Sequence, residues 1–304
     1  MIFQCISTVS FTLLLNGGKS SSFSPSRGIR QDNPLSPYLF ILCSEVLSRL
    51  IYREVDMGNI KSIKVALGAP GISNLLYADD VLLFCGTQHS EVSALMKCVE
   101  KYCDWSGQVV SRDKSGIFIS KGVHSQFVQY IKNQWRFKLL PKGVKYLGMP
   151  LFISPNKTKD FSFVKEKLES RISGWKCKSL SWIGRATLIK SVAQSTPLYC
   201  MSSFKFPKGL CDELDSIVWK FWSNPHKNGN RLYTPMAWLE LCKPLSEWRL
   251  GFRTFESFNE AMIAKLAWWM LSNRDSFCVT VLRVKYKVGN KWLNARPAKS
   301  ASFT

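Results

Sequence analysis

Histidine is scarce in this sequence and the cysteines are scattered, which excludes the commonest metal-binding and disulfide frameworks. The 304 residues include three histidines and ten cysteines, and no two cysteines are separated by two residues. Most of the cysteines lie in apolar runs, so they are predicted to be small core residues in a reducing compartment. Neither a membrane-length apolar run nor a signal peptide is recognisable. The sequence therefore predicts a soluble intracellular protein, nuclear or cytoplasmic, without a membrane partner.

Acidic residues are half as frequent as basic ones, and none occurs in the first 31 positions. The chain has 42 Lys and Arg against 21 Asp and Glu, a net charge of +21. Residues 1–120 carry 11 basic and 10 acidic side chains, whereas residues 121–304 carry 31 and 11. A positive field confined to one region indicates a polyanion, most often nucleic acid, since aromatics that can stack on bases alternate with the basic residues. A solubilising surface and an anionic membrane are the alternatives.

One apolar segment of the near-neutral part contains two adjacent carboxylates. Residues 74–85 place Asp79 and Asp80 between two runs of strand length, which predicts a hairpin with both aspartates at its tip. Neighbouring carboxylates repel each other when ionised, and divalent cations relieve that repulsion. Paired Mg²⁺ sites in polymerases use such carboxylates. An ordinary hairpin with a solvated acidic turn is the alternative.

The patterns before residue 121 alternate between strand and helix. Asn16-Gly17 predicts a tight hairpin turn. A helix is predicted over 38–53, with Ser36 as its N-cap and a position inside a core, because it is apolar on nearly all sides. A second helix is predicted from Ser90 to Gly107. The fold class is therefore α+β, an antiparallel sheet with packed helices.

The patterns after residue 121 are mostly helical, with basic outer faces. Apolar residues recur at helical spacing over 161–175, which leaves Lys165 and Arg171 outside. Ser181 is predicted to cap the next helix, with Arg185 and Lys190 exposed. Further helices are predicted over 210–221 and 255–271, and the basic last fifteen residues are expected to fray.

The chain contains the following motifs in order: Arg30-Gln31, Pro34-Leu35-Ser36-Pro37, Tyr77-Ala78-Asp79-Asp80, Gly107-Gln108-Val109-Val110-Ser111, Lys114-Ser115, Tyr146–Leu151, Gly174–Ser202, Trp238-Leu239, Leu241-Cys242-Lys243-Pro244 and Leu250-Gly251-Phe252-Arg253. Together they resemble the palm and thumb of a reverse transcriptase, most closely those of plant LINE-type (non-LTR) retrotransposons. The likeness covers nearly the whole chain. A group II intron maturase shares the palm motifs, but the thumb segment fits the plant elements better.

The resemblance implies a role for each matching position. Asp79 would ligate catalytic Mg²⁺ or Mn²⁺ with help from Asp80, and Lys114 would lie near the leaving pyrophosphate. An RNA template and a DNA primer would be the partners. The template and nucleotide pocket would contain Arg30, Gln31, Pro34, Ser36 and Tyr77. The primer grip would contain Tyr146, Leu147 and Gly148. The face that binds the duplex would contain Lys165, Arg171, Lys176, Arg185 and Lys190.

The resemblance also implies three regions: a partial palm over 1–140, a thumb-like helical region over 141–225 and a C-terminal helical extension over 226–304. Two departures weaken the expected activity. Asp32-Asn33 replaces the Gly-Asp of the family, and no carboxylate precedes Asp32 to complete a two-metal site. The sequence therefore predicts a reverse transcriptase relic with little or no polymerase activity. A non-catalytic nucleic-acid-binding module and a fragment that never folds are the alternatives.

Overall fold

The structure is a computed structural model that describes residues 2–26, 28–141, 143–175, 180–223, 236–272 and 274–288. The chain forms two compact units, residues 1–140 and residues 141–304. The predicted fraying of the last fifteen residues and the predicted regional boundary at 226 lie outside the described residues. Within the described residues, no helix is both long enough and apolar enough to cross a membrane.

The first unit mixes helices with small two-stranded ladders, which confirms the α+β class at that level. The strand pairs β1/β2 and β3/β4 are antiparallel hairpins, and β5 pairs with β6 in parallel. The elements are α1 (Ile2–Ser7), β1 (Leu14–Leu15), β2 (Gly18–Lys19), α2 (Ser36–Asp56), β3 (Asn74–Tyr77), β4 (Asp80–Leu83), α3 (His89–Ser106), β5 (Gly116–Ile117), α4 (Ser125–Trp135) and β6 (Lys138–Leu139).

The core of the first unit lies between α2 and α3. Leu95, Val99 and Tyr102 recur every three or four residues along α3, so they share one face, and all three are buried. They pack with Leu47 and Ile51 of α2. The predicted helix after Ser90 and its buried face are confirmed, and Gly107 ends α3.

Two predictions about α2 are wrong. Its N-cap is Leu35, so Ser36 is already helical, and the Ser36 hydroxyl donates instead to the carbonyl of Arg30. The helix is also not enclosed: Ile41 and Leu42 are 63% and 60% exposed. Helix α3 and strand β3 are the described elements that pack extensively on α2, and they leave its other sides open.

The second unit is mostly helical, with one antiparallel ladder. A π-helical turn (Ile189–Ala193) follows α7, and a 3₁₀ turn (Leu245–Glu247) follows α10. The other elements are β7 (Lys145–Tyr146), β8 (Met149–Pro150), α5 (Lys157–Asp160), α6 (Ser162–Ser173), α7 (Trp182–Leu188), α8 (Leu198–Met201), α9 (Lys208–Ser223), α10 (Trp238–Leu241), α11 (Phe255–Leu271) and α12 (Phe277–Lys285).

Helix α9 is at the centre of the second core, packed against α6 and α11. Leu168 of α6 and Leu214 of α9 are fully buried, as predicted from their spacing. Ser181 caps α7 by accepting from the Gly184 N–H at 3.1 Å, and α11 has the predicted bounds. Asn259 of α11 is buried and satisfied, because it accepts from the Phe206 N–H and donates to two carbonyls.

Candidate active site

The two aspartates lie at the tip of the β3–β4 hairpin, as predicted. Tyr77 stands opposite Asp80, so Ala78 and Asp79 form a two-residue loop between the strands. Ala78 has a φ of 51°, which a side chain rarely adopts and which costs about 1–3 kcal/mol at such positions. Two-residue hairpin loops with positive φ at the first position normally use glycine there. The chain thus accepts backbone strain immediately before the carboxylate pair.

Buried polar contacts fix the base of this hairpin to α2. The side-chain amide of Asn74 donates to the Ser48 hydroxyl at 2.8 Å, and the Ser73 hydroxyl donates to the Asn74 side-chain oxygen at 3.0 Å. All three residues are buried. Since a lost partner would leave a buried polar group unsatisfied, these contacts hold the hairpin in a defined position on the helix.

Glu91 fixes the segment that leaves β4. This buried carboxylate accepts from the backbone N–H groups of Lys61 and Gly86, each at 2.9 Å. A Cβ at Gly86 would lie 2.6 Å from the carboxylate, so only glycine allows this approach. Burial, and then the charge of Glu91, raises the pKa of the Cys85 thiol to about 11. Glu91 was not predicted; its signal in the sequence is a glutamate in the first turn of a helix, five residues after Gly86.

Asp79 and Asp80 are exposed, and their carboxylates make no hydrogen bond or ion pair with any residue that the structure describes. Their oxygens are therefore free to take an external ligand. Carboxylate oxygens at an accessible tip are the donor type that Mg²⁺ and Mn²⁺ prefer. Among the described residues, no cluster of three or more His, Cys, Asp or Glu side chains forms a closed metal site. In donor type and exposure, each carboxylate fits an open cation site.

The two faces of the hairpin differ. Leu76 and Leu83 pack on the core between α2 and α3. Opposite residues of an antiparallel pair share a face, so Tyr77 and Asp80 lie on the other face, where Tyr77 is exposed. The outer face therefore offers an aromatic ring next to a carboxylate.

The loop before α2 contains most of the residues predicted to line the template pocket. Arg30, Gln31 and Pro34 are exposed, and Ser36 is partly buried. Asp32, which stands where the resemblance expects glycine, has a φ of 60°. Glycine adopts a positive φ at little cost, and aspartate tolerates it better than most other residues.

Lys114 is exposed in the turn between α3 and β5. It makes no hydrogen bond or ion pair with Asp79 or Asp80 in the described structure. Its role beside the leaving group stays a prediction.

The predicted primer-grip hairpin is present in the second unit as β7 and β8. Tyr146 pairs with Met149, and Leu147 and Gly148 form the loop with φ values of 51° and 77°. Positive φ at both loop positions is typical of a type I′ turn, which matches the twist of the strands. The hairpin is confirmed, and its role in holding a primer stays a prediction.

The predicted duplex-binding residues of the second unit do not share one environment. Arg185 was predicted to be exposed and is only 3% exposed: its guanidinium donates to the Trp222 carbonyl at 2.7 Å and lies 4.1 Å from the Trp182 ring. The prediction is wrong because this side of α7 faces α9. Lys165 pairs with Glu213 at 2.6 Å.

Two of the five residues keep the predicted exposure without an ion pair in the described structure. Lys190 is exposed, and exposed Arg171 donates to the Thr196 hydroxyl at 3.0 Å. Lys176 lies outside the described residues.

Comparison with known proteins bears on the first half of the chain. Residues 2–151 match the family described as reverse transcriptase (RNA-dependent DNA polymerase). The β3–β4 hairpin, the loop before α2 and Lys114 lie inside this match. These residues are therefore similar to a reverse transcriptase domain.

Three proteins of Arabidopsis thaliana are similar to parts of the chain. One, provisionally named a ribonuclease H protein, is 34% identical over 161 residues, which cover 51% of this chain and 26% of that protein. Two uncharacterised mitochondrial proteins are 51% identical over 67 residues and 33% identical over 91 residues. These alignments cover 22% and 30% of this chain, and 55% and 58% of the relatives. The chain thus spans about a quarter of the first relative and somewhat over half of the others.

Proposed function

We propose that this chain is part of the RNA-directed DNA polymerase of a plant LINE-type (non-LTR) retrotransposon. The observation that carries the proposal is the exposed Asp79-Asp80 pair at the tip of a strained two-residue hairpin, inside the residues that match the reverse transcriptase family. A solvated acidic turn of ordinary origin gives no reason for alanine, where such a loop normally has glycine or asparagine, or for buried polar contacts at the hairpin base. A site that must present two carboxylates at a fixed place gives a reason for both.

In the proposed reaction, the protein contributes position and charge. Asp79 and Asp80 would hold Mg²⁺ or Mn²⁺, which when bound stabilises charge on the attacking and leaving oxygens of nucleotidyl transfer. The open outer face of the hairpin leaves room for the primer end to approach the pair. The second unit carries 27 basic against 11 acidic residues, and so would attract the phosphates of template and primer.

We also propose that the chain alone has little polymerase activity. The two exposed carboxylates have no third metal-ligating side chain clustered with them in the described structure. Mg²⁺ held by one or two carboxylates keeps most of its waters and depends on substrate phosphates for further ligands. The bound cation would therefore be held weakly.

A primer-extension assay with an RNA template and a DNA primer tests the proposal. Wild type is compared with Asp79→Asn and with Glu100→Gln, which removes an exposed carboxylate from α3. We expect template–primer binding by all three proteins and extension near background. Efficient incorporation lost only in Asp79→Asn would contradict the low activity while supporting the polymerase family. Failure of the folded wild type to bind template–primer would contradict the proposal as a whole.

Non-catalytic nucleic-acid binding is the second candidate function, and the charge of the second unit favours it. Such binding releases counterions, so affinity would fall steeply between low and moderate salt. It differs from the first candidate in its response to the cation: Mn²⁺ would not change the affinity of the wild type for template–primer, and neither would Asp79→Asn.

A further inference from the structure

A pocket of about 290 Å³ opens in the second unit, lined by residues that carry no predicted role in substrate binding. Its walls are largely aromatic and aliphatic, and Arg249 supplies the charged side chain among them. The other residues that line it are Trp182, Trp222, Ser223, Met236, Leu241, Trp248 and Leu250.

Trp248, which lines this pocket, combines a highly exposed side chain with an unfavourable backbone conformation. Its side chain is 93% exposed, and its φ of 56° lies in the left-handed region, where a bulky residue is an outlier. It directly follows the 3₁₀ turn Leu245–Glu247. Folding gains nothing from a fully hydrated indole on a strained backbone. The ring is therefore available to a ligand at this pocket.

The facing part of the pocket is rigid. Trp182 and Trp222 meet edge to face, with ring centroids 4.8 Å apart. The Arg185 guanidinium lies against the Trp182 ring and is fixed by its bond to the Trp222 carbonyl. Burial of Arg185, which contradicts its predicted role on a duplex, thus has a structural use: it holds an aromatic wall in place.

Arg249, which lines the same pocket, has a hydrogen-bond donor without a partner among the described residues. One guanidinium nitrogen lies 3.4 Å from the Glu240 carboxylate. The Nε atom is buried and has no hydrogen-bond partner among the described residues. A buried donor without an acceptor is unfavourable, so a ligand that supplies an acceptor to this guanidinium would be favoured.

We propose that this pocket binds one unpaired nucleobase of a single-stranded nucleic acid. A base presents a planar face for the tryptophans and oxygen or nitrogen acceptors for Arg249. The volume lies at the small end of the range for ligand pockets, roughly 300 Å³ upwards, which suits one ring system and excludes a duplex. The positive charge of the second unit would hold the connected phosphates. The inference rests on the proposed function only in taking nucleic acid as the partner.

Paired oligonucleotides test the pocket separately from general phosphate binding. A labelled ten-nucleotide thymidine strand is compared with an abasic strand of equal length and charge, by fluorescence anisotropy at fixed salt. We expect the wild type to bind the base-containing strand about tenfold more tightly, since stacking contributes about 1–3 kcal/mol per base.

Three variants locate the effect. Trp248→Asn removes the ring and tolerates the left-handed backbone, so the preference should fall to nearly one. Trp268→Asn, at a 65% exposed position of α11, is the matched control and should keep the preference. Arg249→Lys keeps the charge but removes the Nε donor, and should reduce the preference about threefold. Circular dichroism and thermal melting check that each variant is folded.

The outcomes separate the pocket from the proposed function. Equal affinity of the wild type for both strands would overturn the pocket while leaving phosphate binding intact. An equal loss in Trp248→Asn and Trp268→Asn would also overturn it. Failure to bind either strand would overturn the pocket and nucleic-acid binding together.

Discussion

The two units of this chain differ in how completely they bury their apolar residues. The main cluster of the first unit contains seven buried residues, and that of the second contains eighteen, counted over the described residues. The first unit leaves Ile41 and Leu42 of α2 in solvent, as well as Leu75 and Tyr77 of the hairpin. The second unit is also far more basic. The comparison indicates that the unit with the aspartate hairpin is the less stable one, and that the basic helical unit is the more stable one.

The largest effect is expected at Asn259, which joins α11 to the chain between α8 and α9. Asn259→Ala would leave the Phe206 N–H and the carbonyls of Met201 and Phe204 buried without partners. We expect a loss of about 3 kcal/mol in the free energy of unfolding. Urea unfolding followed by tryptophan fluorescence would measure it, since most tryptophans are in the second unit.

Asn133→Ala, at an exposed position of α4, is the control and should change stability by less than about 0.5 kcal/mol. Equal losses in the two variants would show that the Asn259 contacts do not hold the second unit together.

In the first unit, Glu91 is a buried side chain that, like Asn259 in the second unit, hydrogen-bonds to the backbone of other segments. Glu91→Ala would leave the N–H groups of Lys61 and Gly86 without an acceptor, at a cost of about 2 kcal/mol. Because the first core is small, we expect local opening around Lys61 and Gly86 without unfolding of the second unit. Hydrogen exchange measured by mass spectrometry would show faster exchange at residues 60–63 and 84–88.

Glu100→Ala on the exposed side of α3 should leave those peptides unchanged. Faster exchange throughout both units in Glu91→Ala would mean that the units unfold together, which would contradict the inference that they differ in stability.

Asp215 gives the second unit a pH dependence. Burial, partly offset by the Phe255 N–H, raises the pKa of this carboxyl from 3.8 to about 6. Between about pH 4 and pH 6, the folded protein retains a proton that the unfolded chain has released, so the free energy of unfolding falls as pH rises. Asp215→Asn should remove this slope and stabilise the protein by about 1 kcal/mol at pH 7, allowing for partial exposure of the group.

Thermal melting at pH 4, 5, 6 and 7 would measure the slope. Asp275→Asn, at an exposed position, should retain the slope of the wild type. A slope that persists in Asp215→Asn would assign the pH dependence to another group.

The smallest effect is expected from single exposed lysines. Lys190→Ala in the second unit should lower the slope of log affinity against log salt for a duplex by about 0.9, the value for one lost phosphate contact. Lys97→Ala, exposed on α3 of the first unit, should leave the slope unchanged. Titrations at four salt concentrations would distinguish them; equal effects of the two variants would place binding on both units.

Features that depend on residues close in sequence were predicted correctly more often than features that depend on tertiary packing. The aspartate hairpin, the Ser181 cap and the bounds of α11 follow from residues close in sequence, and all three are confirmed. The burial of Arg185 could not be predicted, because it depends on which face of α7 meets α9. Exposure of Ile41 depends likewise on what packs against α2. The Trp248 pocket has no local signal, since its walls come from segments about 65 residues apart in the sequence.

Binding of Mn²⁺ tests most directly whether the first unit presents a metal-binding carboxylate pair. Electron paramagnetic resonance measures the free ion during a titration of the protein, with Asp79→Asn/Asp80→Asn as the variant and Glu100→Gln as the control. We predict one weak site in the wild type and in the control, and none in the double variant. Equal Mn²⁺ binding by the wild type and the double variant would contradict the assignment of the hairpin as a metal site.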